Sequence, residues 1–166
     1  MFLFDQIAYD NKAEFYDNLT SYVESIVHGE TDLIANLANA SSLLFIMMSD
    51  VNWAGFYLYK EEQLVLGPFQ GNPACIRIPM GKGVCGTAAS KRETQLVEDV
   101  ALFQGHIPCD GDTKSEIVVP LIKHGRLIGV LDLDSPIIER FTHEDQKYLE
   151  AIVIIIMKAC ELGEAY

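Results

Sequence analysis

The chain has 166 residues, 49% of them hydrophobic and 22% charged, and a formal net charge of −12. That length suits a single domain, 1–166, with one good core, and no apolar run reaches the ~18 residues that would span a bilayer. So acidic a balance, with no local Lys/Arg cluster, argues against a nucleic-acid backbone or an anionic membrane surface as partner, because both would repel it.

The opening Met-Phe-Leu-Phe-Asp-Gln has no basic region followed by an apolar core, so the default expectation is a cytoplasmic protein. Four cysteines in such a setting are not expected to be structural disulfides; metal binding, catalysis or packing remain.

In chain order, Asn11 to His28 reads as a helix with Phe15, Leu19, Val23 and Ile26 on one stripe, stopped by Gly29. A second helix fits Thr31 to about Ser49, with Thr31 as its N-cap and Leu33, Leu37, Leu44 and Met47 buried. Val51 to Tyr59 is the first strand; alternation puts Trp53, Gly55, Tyr57 and Tyr59 on one face and Ala54, Phe56 and Leu58 on the other. Leu64 to Phe69 returns as its hairpin partner, and Ile76 to Ile78 is a short strand ending at Pro79. A glycine-rich turn then opens a small helix over Val84 to Lys91, followed by a strand at Gln95 to Val97. Asp99 to Lys114 reads as a long loop, of a length that is often functional.

Ile117 to Ile122 and Leu127 to Leu133 form a hairpin around His124-Gly125. Thr142 starts the final helix through a capping-box-like Thr142-His-Glu-Asp145, with Tyr148, Leu149, Ile152, Ile156 and Met157 as core positions. Ala151 to Met157 is nearly apolar all round, which would suit a homodimer helix or a deeply packed one. Helices, then antiparallel strands, then a helix give an α+β domain: a central antiparallel sheet with the N-terminal and C-terminal helices packed on it.

The chemistry gathers between Cys75 and Asp134. Cys75 and Cys85 are ten positions apart, which is not metal-ligand spacing, and His106-x-x-Cys109 is half a zinc site without a second half; no metal is expected. Cys160, among apolar residues of the last helix, reads as a small buried hydrophobe. Cys109 follows Pro108 and precedes Asp110-Gly111-Asp112 in the long loop, and Cys75 follows Asn72-Pro73. Cys85 sits at a helix start, where the dipole favours a thiolate. Redox exchange among exposed thiols and simple packing stand about level on these residues alone.

Asp132 and Asp134 share a strand face. Either the strand end dips into water, or the pair borders a pocket and keeps one carboxyl protonated as a proton donor, with Glu116 on the adjacent strand able to join. Trp53 is either core filler or, with Tyr57, a pocket wall. His106, His124 and His143 read as loop, turn and cap residues without chemistry.

These residues carry a resemblance. Trp53-Ala-Gly-Phe-Tyr57, Pro-Ala-Cys75 to Gly-Val-Cys85-Gly-Thr-Ala-Ala, His106-Ile-Pro-Cys109-Asp to Ser115-Glu116-Ile-Val-Val-Pro, and Gly129-Val-Leu-Asp132-Leu-Asp134-Ser resemble the free methionine-(R)-sulfoxide reductases. These are single-domain proteins of the GAF fold, and the likeness covers almost the whole chain.

The resemblance implies reduction of free L-methionine-(R)-sulfoxide to L-methionine, with Cys109 as nucleophile, Cys85 as the main resolving thiol and Cys75 as a further exchanging thiol. It also implies a substrate site made by Glu116, Asp132, Asp134, Trp53 and Tyr57. No bound cofactor is implied; an external thioredoxin-type reductant would recycle an intramolecular disulfide. The alternative is a non-catalytic GAF sensor that binds a small ligand.

Overall fold

The computed structural model describes residues 11–107 and 111–163. Helix α1 (Lys12–Val27) starts at Asn11, whose side chain accepts from the Glu14 amide at 3.0 Å. Helix α2 (Leu33–Met47) is capped by Asp32 and not by Thr31: the Asp32 carboxylate accepts from the Ala35 amide at 2.8 Å, placing a charge at the positive end of the helix dipole. Thr31 instead has its amide bound by Glu30 Oε1.

Strands β1 (Trp53–Lys60), β2 (Gln63–Gly71), β3 (Arg77–Pro79), β4 (Gln95–Val97), β5 (Ser115–Lys123) and β6 (Arg126–Ser135) form one sheet in the order β3-β2-β1-β6-β5-β4. Every neighbouring pair is antiparallel. Helix α3 (Gly83–Lys91) lies between β3 and β4, and α4 (His143–Ala159) closes the described fold. His124 and Gly125 both have positive φ, 51° and 74°, the backbone that a two-residue hairpin between twisted strands demands. The long loop after β4 is not wholly irregular: Val100–Leu102 is a turn of 3-10 helix capped by Asp99.

Strand alternation sorts the core into two halves. Ala54, Phe56, Leu58, Ile117, Val119 and Leu131 face α1, α2 and α4 in the larger cluster. Trp53, Tyr57, Leu64, Val118 and Val130 face the other way, with Val84, Cys85, Ala88 and Ala89 of α3. The expected division of β1 into two faces is therefore observed. Cys160 is wholly buried in the larger cluster, as expected of a packing residue.

The capping box of α4 is present, with Thr142 and Asp145 bonding reciprocally. This helix buries Leu149, Ile152, Ile156 and Met157 but leaves Ile154 67% exposed, so among the described residues its apolar run is covered on one side only. Among the described residues no helix is long and apolar enough to cross a membrane.

Candidate active site

Register places the acids. Asp132 on β6 lies opposite Gly55 of β1 and Val118 of β5, while Asp134 lies opposite Trp53 and Glu116. Two-residue periodicity then points Glu116, Asp132 and Asp134 to the α3 side together with Trp53 and Tyr57. Gly55 makes room among them: a Cβ there would collide with Phe69 and with the Trp53 indole. Without it, the indole stacks on Phe69 at 5.3 Å between centroids and on Tyr57 at 5.9 Å, and its Nε1 donates to the Asn72 carbonyl at 3.0 Å.

Helix α3 closes the other wall. Its glycine-rich start allows close approach, since a Cβ at Gly86 would strike the Pro79 carbonyl oxygen of β3. The resulting small cavity is bounded by Tyr57, Ile78, Glu116, Asp132 and Asp134 from the sheet. Lys82, Gly83, Val84 and Cys85 of the α3 entry, with His106, Ile107 and Thr113 of the long loop, complete it.

At its base one ligating atom each from Cys85, Glu116 and Asp132 lie within 4.8 Å of one another, and all three residues are buried. Cys85 Sγ is 4.0 Å from Glu116 Oε1, and His106 Nε2 is 3.7 Å from Glu116 Oε2. Two polar atoms lining the cavity, Asp132 Oδ1 and Thr113 Oγ1, are buried without a hydrogen-bond partner among the described residues. Buried polar atoms normally find partners, so orphaned ones facing a cavity mark a place where a ligand's polar groups can complete them.

Burial dominates the electrostatics. It pushes the Asp132 carboxyl up to about 7, against the opposing effect of hydrogen bonds with Cys85 and Glu116. Glu116 is driven well above the carboxylate range by burial and then by the charges of Asp132 and Asp134. The cluster therefore holds protons at neutral pH, in a carboxyl arrangement suited to general acid catalysis. Tyr57 is raised by burial and by the surrounding acids, so its phenol stays a hydrogen-bond donor.

Cys85 departs from the expected behaviour of an exposed thiol at a helix N-terminus. It is 3% exposed, and burial together with Asp132 and Glu116 raises its thiol well above the ordinary value. A two-turn helix dipole does not compensate desolvation beside two acids. Cys85 and Cys160 are free thiols, whereas Cys75, half-buried ahead of β3, is held in a disulfide. Cys109 lies outside the described residues.

The structure thus brings Tyr57, Cys85, Glu116, Asp132 and Asp134 to one cavity. Trp53 is not among the residues lining it; it backs Tyr57 from within the smaller core cluster. Sequence reasoning missed Lys82, Thr113 and His106. The last was read as a plain loop residue, although its position three before Cys109 and inside the long loop was a usable signal. Its imidazole is partly buried against Glu116, and burial lowers its pKa, keeping it neutral.

A family model for the GAF domain matches residues 23–160. The chain is 51% identical over 148 residues to the free methionine-R-sulfoxide reductase of Escherichia coli, covering 89% of this chain and 90% of that one. The solved Staphylococcus aureus fRMsr in complex with substrate is 53% identical, with a TM-score of 0.84 over 87% of this chain and 94% of that one. The free methionine-R-sulfoxide reductase from Neisseria meningitidis, also solved with its substrate, is 43% identical, with a TM-score of 0.90 over 96% of this chain and 95% of that one. Fold, coverage and identity agree: the chain is a GAF-domain protein and belongs to the free methionine-R-sulfoxide reductase family.

Proposed function

We propose that the protein reduces the R epimer of free L-methionine sulfoxide, with Cys109 as nucleophile and the Glu116/Asp132/Asp134 cluster as acid and substrate cradle. The observation that carries this reading is the buried carboxyl cluster itself. It lines a small cavity beside Cys85, and Asp132 is raised to about 7, so a proton donor is available at neutral pH. Relatives about half identical carry the reductase name, and the Staphylococcus and Neisseria proteins were solved with their substrate.

The Cys109 thiol attacks the sulfoxide sulfur while a carboxylic acid protonates its oxygen. The oxygen passes to the cysteine, methionine leaves with its sulfur reduced, and Cys109 becomes a sulfenic acid. The Cys85 thiol condenses with it, releasing water and forming a disulfide, which a thioredoxin-type dithiol reduces. Cys85 has little thiolate at neutral pH, so its attack is best timed after the acid cluster has given up a proton. Cys75, disulfide-bonded in this structure, joins the exchange as a thiol once that bond has been reduced, and the Cys109 thiol is likewise that of the reduced protein.

The acids also account for a free amino acid as substrate, because its ammonium group can pair with carboxylates and the peptide-bound residue lacks it. The deciding experiment supplies the separate R and S epimers with a thioredoxin system and quantifies methionine. Consumption of R alone, lost in Cys109→Ser, is expected, and the N-acetylated sulfoxide should lose at least about tenfold in kcat/KM. Undiminished multiple turnover by Cys109→Ser would end the assignment. Ligand-induced stabilisation by methionine sulfoxide without thiol consumption would instead favour a sensor.

A further inference from the structure

We propose that the cavity floor is a reversible site for a borderline-soft divalent cation of the zinc type, held by Cys85, Glu116 and Asp132 with His106 as the fourth donor, and that an occupied site blocks turnover. The inference needs the donor cluster alone, whatever substrate the cavity takes.

The donor set has the composition such ions select: one thiolate, two carboxylates and one neutral imidazole. Cys85, Glu116 and Asp132 already present ligating atoms within 4.8 Å of one another. The edges of a tetrahedral zinc site, built from bonds of about 2.0–2.3 Å, are roughly 3.3–3.8 Å. His106 Nε2 stands 3.7 Å from one Glu116 oxygen and Cys85 Sγ 4.0 Å from the other; His106 lies outside the tight trio of Cys85, Glu116 and Asp132 and has to swing toward it to serve as the fourth donor. The donors come from three separate parts of the fold, α3, the long loop and the β5–β6 pair, which fixes their relative positions before any ion arrives.

A second observation points to a ligand here. Asp132 is 6% exposed, yet its Oδ1 has no hydrogen-bond partner among the described residues, and the residue lines the cavity. A cation satisfies that oxygen, and it relieves the crowding of acidic groups that burial otherwise keeps protonated. Binding is a proton exchange: the metal takes the Cys85 sulfur as thiolate and the carboxyls as carboxylates, and their protons leave to solvent. The metal–sulfur bond also couples the site to redox state. Once turnover draws Cys85 into a disulfide, that ligand is lost, so the cation is retained only by the protein with a free Cys85 thiol, the state of Cys85 seen here.

Co²⁺ is the direct probe, because a thiolate ligand gives it an intense near-ultraviolet charge-transfer band and tetrahedral geometry gives it visible d–d bands. Titrating the full chain, kept reduced with a phosphine, should give one Co²⁺ per chain with both signatures, and Zn²⁺ should bleach them stoichiometrically. Cys85→Ser should abolish the charge-transfer band, whereas Cys160→Ser, altering the other free described cysteine, should keep it. Asp132→Asn, which leaves the thiolate in place, should keep the band but weaken binding at least tenfold. Absence of a band in the wild-type protein, its survival in Cys85→Ser, or unchanged affinity in Asp132→Asn would each overturn the site. Activity measured separately in chelator-treated protein tests the reductase reading, so the two can fail independently; with both intact, Zn²⁺ should inhibit competitively with methionine sulfoxide.

Discussion

Three aspartates are buried among the described residues, Asp132, Asp134 and Asp145, and the surroundings of Asp132 and Asp145, on opposite sides of the sheet, push these two in opposite directions. Asp145, at the start of α4, is wholly inaccessible. Burial alone would raise it, but Lys12 Nζ at 2.7 Å, the Tyr16 hydroxyl at 2.6 Å and the Thr142 amide at 2.7 Å hold it below the usual carboxylate value. Asp132 has no comparable company: its neighbours are Cys85 and Glu116, both acidic groups, and burial carries it up to about 7. A fully satisfied carboxylate clamps structure; one with an oxygen left unpaired beside a cavity stores a proton and waits for a ligand.

The largest effect should come from breaking the satisfied one. Asp145→Ala removes the α4 capping box and the ion pairs to Lys12 and Arg140, and leaves the Tyr16 hydroxyl buried without its acceptor. Breaking a buried charge network in this way costs ~3–5 kcal/mol. Urea unfolding at pH 7 should show a loss of that order, while turnover per folded molecule stays near wild type. A stability change under about 1 kcal/mol would mean that the network is not coupled to folding.

Asp132→Asn should behave oppositely: activity falls and stability rises. Losing one general acid costs ~10²–10⁴ in rate, and kcat should fall at least a hundredfold. For stability, the native carboxyl titrates near 7 and the unfolded one near 3.8, so the native state binds the extra proton between these values. Its contribution is fully present below about pH 4 and is lost as pH rises through 7. At pH 8 the asparagine variant should therefore be the more stable protein, on the order of 1–3 kcal/mol, and at pH 4 the advantage should vanish. Thermal unfolding at the two pH values settles it; a variant less stable than wild type at pH 8 would contradict the raised carboxyl.

The same proton gives a kinetic signature of intermediate size. If the acid cluster protonates the sulfoxide oxygen, kcat/KM should decline above about pH 7 as the donor is lost, because Asp132 is raised to about 7 by burial. Glu116 shares the site and is also raised, so the limb reports the pair and not one residue. Asp132→Asn should move that limb by more than half a pH unit; an unmoved limb would assign it to another group, His106 or Cys85 first.

The contrast between the two aspartates was only half legible in the sequence. Thr142-His-Glu-Asp145 announces its cap by local spacing, so Asp145 could be placed within its own turn. Its long-range partners, Lys12 and Tyr16, are more than 125 residues away, and no local pattern ties them to it. On the other side, strand alternation correctly put Asp132 and Asp134 on one face with Trp53 and Tyr57 on theirs. The burial of Cys85 was invisible: Gly-Val-Cys-Gly reads as an exposed turn, and only the close packing of α3 onto β3 makes it interior. For Trp53, periodicity gave the face but not the depth, which the stack on Phe69 and Tyr57 in the smaller core cluster supplies.

The smallest expected change isolates how much of the Asp145 clamp is electrostatic. Lys12 donates to both Asp145 and Thr142, but its side chain is one-third exposed, so solvent screens the pair. Lys12→Met keeps most of the aliphatic packing and removes the charge, and should cost under about 1 kcal/mol. The sign follows from Asp145 being held low: its contribution is present above the unfolded carboxylate value and is lost as pH falls through the lower, folded one. Removing Lys12 lets the folded value relax upward, so wild type should exceed the variant at pH 7 and the gap should close on acidification toward pH 3. Tyr16 and Thr142 still hold the carboxylate, which is why this loss should stay a small fraction of that in Asp145→Ala; comparable losses would make the Lys12 ion pair, and not the hydrogen bonds, the core of the clamp.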